Sequence, residues 1–467
     1  MITQQQYVAM TRFGLGPSFK DLQAVGDSPN DWLLRQIEPT VQDPGPQVPS
    51  SRQSLIGRKA IFDEIRKLKR EGSGSGGISK SSDQQIKQLR RQARKITEQQ
   101  LLQRFSYAQT TQTPFRERLV QFYSNHFTVS CKGKSAISTA CVGFENEAIR
   151  SRLNGHFGDM LNAVAKHPVM LTYLENIRST GSNSVAGKKR KVGLNENFAR
   201  EILELHTLGV DGGYNQRDVK ALANIITGWT VGGKRLAKIG AEPGAFFFSQ
   251  RMHEPGPQRL MGTDYPQEDA QQGQSALNDL SIHPSTARFI ATKLARHFIA
   301  DEPPKEAINL LTQTYLDTHG HLPTLHRTLI EIDQIWQPSH RKFKTPYEYV
   351  LSILRVLPVS IADKRLSRSL SSGLESMGQV PFTAISPRVG LIRPVTGLLP
   401  MPLKNVSNGH WQSVQIAGLI RRLQIKPSKN WCLHTRILCV WQCLGPKAPL
   451  KQWLYCLRHL ISSGDKR

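Results

Sequence analysis

Apolar residues along most of this chain recur every three or four positions, the period of a helix with one buried face. In FRERLVQFYSNHF, residues 115–127, Leu119, Phe122, Tyr123 and Phe127 keep that spacing. Within residues 195–229, Phe198, Ile202, Leu205 and Leu208 form one stripe, and Val219, Leu222, Ile225 and Ile226 form another. Asp211-Gly212-Gly213 between them reads as a glycine-rich helix end, and Asn215 as the cap of the next helix. The same period predicts helices over 53–70, 83–107, 284–300, 305–317, 321–333 and 346–356, with two or three more in 136–175. Residues 1–40 read as helical around an opening turn, RFGLGPS, with Asn30 as the cap of DWLLRQI.

One segment breaks the helical period. AFFFSQRMHEPGPQRLMG carries three consecutive Phe and a Pro-Gly pair, which predict a small β-hairpin near 244–263. Two Gly/Ser/Lys-rich stretches, about 71–82 and 181–193, read as flexible loops. The expected class is mainly α: a multi-helix globular domain over 1–382 with that hairpin inserted.

Composition adjusts the picture. At 38% hydrophobic residues the chain can bury a core. No apolar run approaches the ~18 residues of a membrane-spanning helix. The start, MITQQQYVAMTRFGLG, has no basic leader with an apolar run, so the expected compartment is the cytoplasm, with export through a partner as the alternative. The formal charge of +26 suggests a polyanion partner, but it is uneven. Residues 383–467 hold thirteen Lys/Arg against one acid, Asp465, and four of the six cysteines. Cys432, Cys439, Cys443 and Cys456 fit no paired zinc-ligand spacing. With Cys131 and Cys141 left, no disulfide is expected.

The densest cluster of chemistry is NENFARE..E.H. On a regular helix Asn197, Arg200, Glu201 and Glu204 share adjoining turns of one face. Two carboxylates one turn apart can share a metal or a proton, with Arg200 neutralising them or holding an anion. The same residues equally describe a buried Arg–Glu network that fixes helix packing. His206 falls two residues beyond Glu204 and is expected on another face. Asn125-His126 closes a helix and offers a ligand, a base or a cap. His253, beside Glu254 at the hairpin, reaches over a cleft or braces a turn. Trp229 is a cleft wall or core. Asp218, His283 and His297 read as helix-terminus or core residues. GKKRK, 187–191, is a short basic loop. No GxSxG, P-loop, HExxH or strand-borne GxGxxG occurs.

RFGLGP (12–17), RERLVQFYSNHFTVS (116–130) and NENFAREILELHTLGVDGGYNQRDVKALANIITGW (195–229) resemble the bacterial "domain of unknown function 1800" family. So do FFFSQRMHEPGPQRLMGTDY (246–265), HPSTARFIATKLARHFIADEPP (283–304) and TPYEYVLSILRVL (345–357). Tyr123 stands where the family usually shows Trp, and Glu254 where Asp is common. The resemblance brings no established activity. It implies companionship with secreted proteins of the phosphatase/sulfatase-like superfamily. Members continue after MGQ-P-F with a Gly-Trp-Pro-Asp turn and a Trp-rich helix, whereas here the pattern stops at Phe382. Read one base earlier, degenerate codons for residues 387–413 permit that turn and helix, and Lys466 permits a stop. Residues 383–467 therefore read as a frameshifted, poorly ordered basic tail, and their charge as an accident of frame.

Two main readings follow. In the first the protein is an enzyme, of the hydrolase kind, with its site between the 115–127 and 195–208 helices and the hairpin as a lid. Glu201, Glu204, His126 and His253 are its catalytic residues, and Asn125, Asn197, Arg200 and Trp229 bind substrate. Metal and cofactor stay open. In the second the protein is a non-catalytic helical partner or export accessory of the companion protein. Weak polyanion binding is a third reading, and nucleic acid is not the expected partner.

Overall fold

Helix Pro114–His126 shows how the sequence builds the body. Pro114 sits in the first turn, where its missing N–H removes nothing. The stripe Leu119, Phe122, Tyr123 and Phe127 is buried, as its spacing predicts. Arg116, Glu117 and Arg118 are buried as well, so most of the helix surface faces the interior. A buried charge has to be paired. Arg116 reaches Asp43 at 3.2 Å and Asn154 at 2.9 Å, Glu117 meets Arg150 at 2.7 Å, and Arg118 meets Glu348 at 2.7 Å. Arg118 also donates to the Gly14 carbonyl at 3.0 Å, and Arg355 donates to the Gly16 carbonyl at 3.1 Å and to Asp21 at 2.8 Å. The RFGLGP turn is thus gripped from two helices by arginines that bind its carbonyls.

The structure, a computed structural model, describes residues 2–74, 79–131, 136–190, 193–233, 236–266, 269–337, 344–356, 370, 372–375 and 379–384. It is mainly α, with two small antiparallel sheets. One apolar core collects the helices from Gln4 to Trp336, and a smaller one joins Phe105 and Ala108 to Tyr347, Val350 and Leu351. The outer parts of the long pair Ser51–Gly74 and Lys80–Thr110 are seamed by their own cluster of Ile65, Leu68 and Ile86. No helix among the described residues is long and apolar enough to cross a membrane.

Several details differ from expectation. The three Phe do not pair across the Pro-Gly turn. Phe246–Phe248 pairs with Trp229–Val231, Trp229 facing Phe248, while Gln258–Leu260 pairs with Thr263–Tyr265 around Met261-Gly262. Positive φ at both turn residues, 49° and 86°, gives the tight hairpin its favoured twist. Ser28, not Asn30, precedes the helix Pro29–Arg35, because Pro29 takes its first position. Residues 71–74 continue a helix, and Val185–Arg190 is a short helix where a loop was expected. Backbone bonds from Gly181 to Met252 (2.9 Å) and Ala186 to Arg251 (2.8 Å) tie this segment down. Cys131 and Cys141 are paired as a disulfide, which corrects the expectation of none; packing of Val129, Ile137 and Ala140 in the core brings the two segments together. The other cysteines, and nearly all of the tail assigned to a frameshift, lie outside the described residues.

Three helices contain a widened π turn, Ala9–Phe13, Glu145–Ile149 and Ile202–His206. Such turns shift side-chain register and cluster at functional sites. The third interrupts the helix that carries the predicted chemistry.

Candidate functional site

That widened turn rearranges the expected face. Helix Glu196–Glu201 is regular, and Asn195 caps it by accepting from the Asn197 N–H at 3.0 Å. Asn197 is exposed and lines a 370 Å³ cavity with Tyr173, Glu175 and Arg178. Glu201 is half-buried near Tyr173, whose hydroxyl is pushed up first by burial and then by the Glu201 charge. Glu204 is buried one turn on. Arg200 joins neither carboxylate in an ion pair: it lies at the surface, 3.7 Å from Glu196 and 2.9 Å from Gln216. Among the described residues no group of three or more His, Cys, Asp or Glu is placed to hold a metal.

At the end of the π turn the chain makes a cluster that sequence spacing hid. His206 turns inward beside His126, their ring centres 6.4 Å apart. Helix Pro284–Phe298 brings Lys293 against them, with its Nζ 2.9 Å from His126 Nδ1. The tautomer of His126 follows from its other contact. Nε2 lies 3.1 Å from the His206 carbonyl, which only accepts, so Nε2 carries the proton. Nδ1 of the neutral ring is then a lone-pair acceptor, and Lys293 donates to it.

The electrostatics agree. Burial, then the charges of Lys293 and His206, hold His126 well below its ordinary value, against the opposing carbonyl bond. His206 is pushed down to about 3 by burial and by Lys293. Burial also takes Lys293 down to about 7. Its ammonium lies 5.2 Å from the Phe289 ring centre. Among the described residues no carboxylate pairs with it. His206 Nδ1 is buried with no hydrogen-bond partner among those residues, and Phe127 and Phe157 pack against the two imidazoles. The result is an amine held below its ordinary pKa, a lone-pair nitrogen and an unsatisfied ring nitrogen in one apolar shell.

The remaining predicted residues do other work. Asn125 is half-buried at the helix end, where its carbonyl accepts from the Thr128 hydroxyl. His253 does not join His126 or Glu201. Its Nδ1 bonds the Thr227 carbonyl at 3.0 Å and its ring meets Phe248 edge-on. Glu254 accepts from the Asn183 N–H at 2.9 Å and from the Asn183 side chain, clamping the 181–190 segment. Trp229 is fully buried, stacked so closely on Gly273 that a Cβ there would come within 2.2 Å of the indole. It forms part of the core behind the strands. Asp218 completes the cap with Asn215 and accepts from the Met261 N–H at 2.7 Å. His283 caps its helix through Ser285 at 3.1 Å. His297 lies 3.9 Å from Glu348. Lys293 escaped sequence reading; the one signal was a lone lysine spaced four residues from Phe289 and from His297 within an apolar helix.

A family model described as "Protein of unknown function (DUF1800)" matches residues 8–388. No curated protein and no solved structure matches the chain.

Proposed function

The chain belongs to this family of proteins of unknown function, and we propose that it is an enzyme whose reacting groups are Lys293 and His126. One observation carries the reading: the Lys293 amine hydrogen-bonds a neutral imidazole at 2.9 Å and has no carboxylate partner among the described residues. Burying an ammonium without an opposite charge is costly. An amine whose pKa is lowered by burial, next to an unprotonated ring nitrogen, is equipped for nucleophilic or acid–base work. His206 offers its free ring nitrogen to a bound group. Glu201 and Asn197, beside the Tyr173 cavity, belong to a neighbouring polar surface. His253 and Trp229 support the scaffold.

The test is the titration of Lys293 in the full chain. Acylation by a small anhydride, mapped by mass spectrometry from pH 5.5 to 10, should show Lys293 half-reactive near neutrality. Surface lysines should respond near ~10.4. A Lys293 that titrates with the surface lysines would remove the enzyme reading. It would leave the helical partner of a companion phosphatase/sulfatase-like protein as the better account.

A further inference from the structure

The mouth of this cluster has its own chemistry. Lys293 and Phe289 are both half-buried. Across from them runs the Gly209-Val210 turn. Gly209 has φ of 85°, and its backbone lies so near Phe289 that a Cβ would meet the ring at 3.0 Å. Val210 beside it is 64% exposed, an apolar side chain left in solvent. Behind Phe289 lie the amine, 2.9 Å from the His126 lone pair, and the buried His206 Nδ1. Phe289 and Val210 are apolar, the groups behind them are basic, and no acid among the described residues pairs with the amine.

We propose that Lys293 forms an imine with a carbonyl compound, an aldehyde or ketone bearing an apolar substituent that rests on Phe289 and Val210. This rests on the enzyme reading above and names its substrate class. Lys293 Nζ attacks the carbonyl carbon, and the C=O π bond gives its electron pair to oxygen. His126 Nδ1 takes the proton lost by nitrogen, while its Nε2–H stays anchored on the His206 carbonyl. That proton passes to the alkoxide to give the carbinolamine; His126 Nδ1 then takes the second proton from nitrogen and delivers it to the hydroxyl, which leaves as water as the C=N bond forms. Carbonyl compound and amine give imine and water, with no oxidant or reductant needed.

The experiment uses the full chain at pH 7 with hexanal or formaldehyde, cyanoborohydride trapping and peptide mapping. The expected result is a hexyl adduct concentrated on Lys293, at least tenfold above the mean of the other lysines. Hexanal should be favoured over formaldehyde at this site compared with the others. Lys293→Arg should remove the adduct, and His126→Asn should slow its appearance at least tenfold. If His126→Asn does not fold, the unaltered chain suffices: its trapping rate at Lys293 should rise through pH 7, where the amine loses its proton. Selective acylation of Lys293 without an aldehyde adduct would overturn the imine and leave the acid–base reading standing. Loss of both selectivities would overturn both.

Discussion

Replacing Glu145 by Gln keeps the shape of the side chain and removes its charge opposite Arg104. Arg104 approaches Glu145 through Nε at 2.7 and 3.0 Å and through Nη2 at 2.8 Å, and its Nη1 donates to the Tyr347 hydroxyl at 2.8 Å. Arg104 is 5% exposed and Glu145 is 0% exposed. Water therefore cannot replace the lost partner. Removing one member of a buried pair typically costs about 3–5 kcal/mol, because the other charge stays buried. With a urea slope of ~3 kcal/mol per molar, the unfolding midpoint should fall by about 1 M or more. Pairing Arg104→Met with Glu145→Leu should restore most of that loss, since no bare charge is left. The pH dependence gives a second readout. Burial alone would raise Glu145, but the charge and hydrogen bonds of Arg104 outweigh it and hold the carboxyl below its ordinary value. The pair thus stabilises the fold above the unfolded carboxyl pKa, and that contribution fades as pH falls through the folded one. The gap between the two proteins should narrow in acid. A midpoint that moves by less than 0.3 M (~1 kcal/mol) would refute the reasoning.

Three further outcomes follow from particular contacts. Lys293→Met should stabilise the fold by roughly 2 kcal/mol below pH 7, where folded and unfolded chains both carry the proton, and the gain should vanish as pH rises toward the unfolded value near ~10.5; paired thermal melts at pH 6 and pH 10 check this. Gly273→Ala should cost about 2–3 kcal/mol, since its Cβ would overlap the Trp229 indole, and the emission of Trp229 should shift with it. Glu254→Ala should release the 181–190 segment, so trypsin should cut at the exposed Lys188 and Lys189 faster than in the unaltered chain.

The sequence made the helices legible because their stripes follow a period that local geometry alone sets. Asn215 declared its cap for the same reason. What stayed hidden depends on register and on distance. The strand partner of Phe246–Phe248 is Trp229–Val231, about seventeen residues upstream, and no local turn residue announces it. Glu201 and Glu204 look like neighbours on a regular helix. The π turn starting at Ile202 breaks that spacing and turns His206 toward His126. Of the predicted site, His126 lies in the cluster with Lys293, Asn197 lies at the cavity, and Arg200, His253 and Trp229 lie elsewhere. Lys293 was invisible because its meaning comes from what is missing around it. The RERL stretch showed charge but not burial, and burial is what makes Arg116, Glu117 and Arg118 a network.

The helical pair Ser51–Gly74 and Lys80–Thr110 has one more consequence. Residues 51–110 hold fourteen Lys/Arg against five Asp/Glu, and the outer part is seamed mainly by Ile65, Leu68 and Ile86. So thin a seam can open while the body stays folded, and its amides should exchange with solvent early. Its length is also adjustable. Seven residues added to each helix would lengthen the pair by about 10 Å.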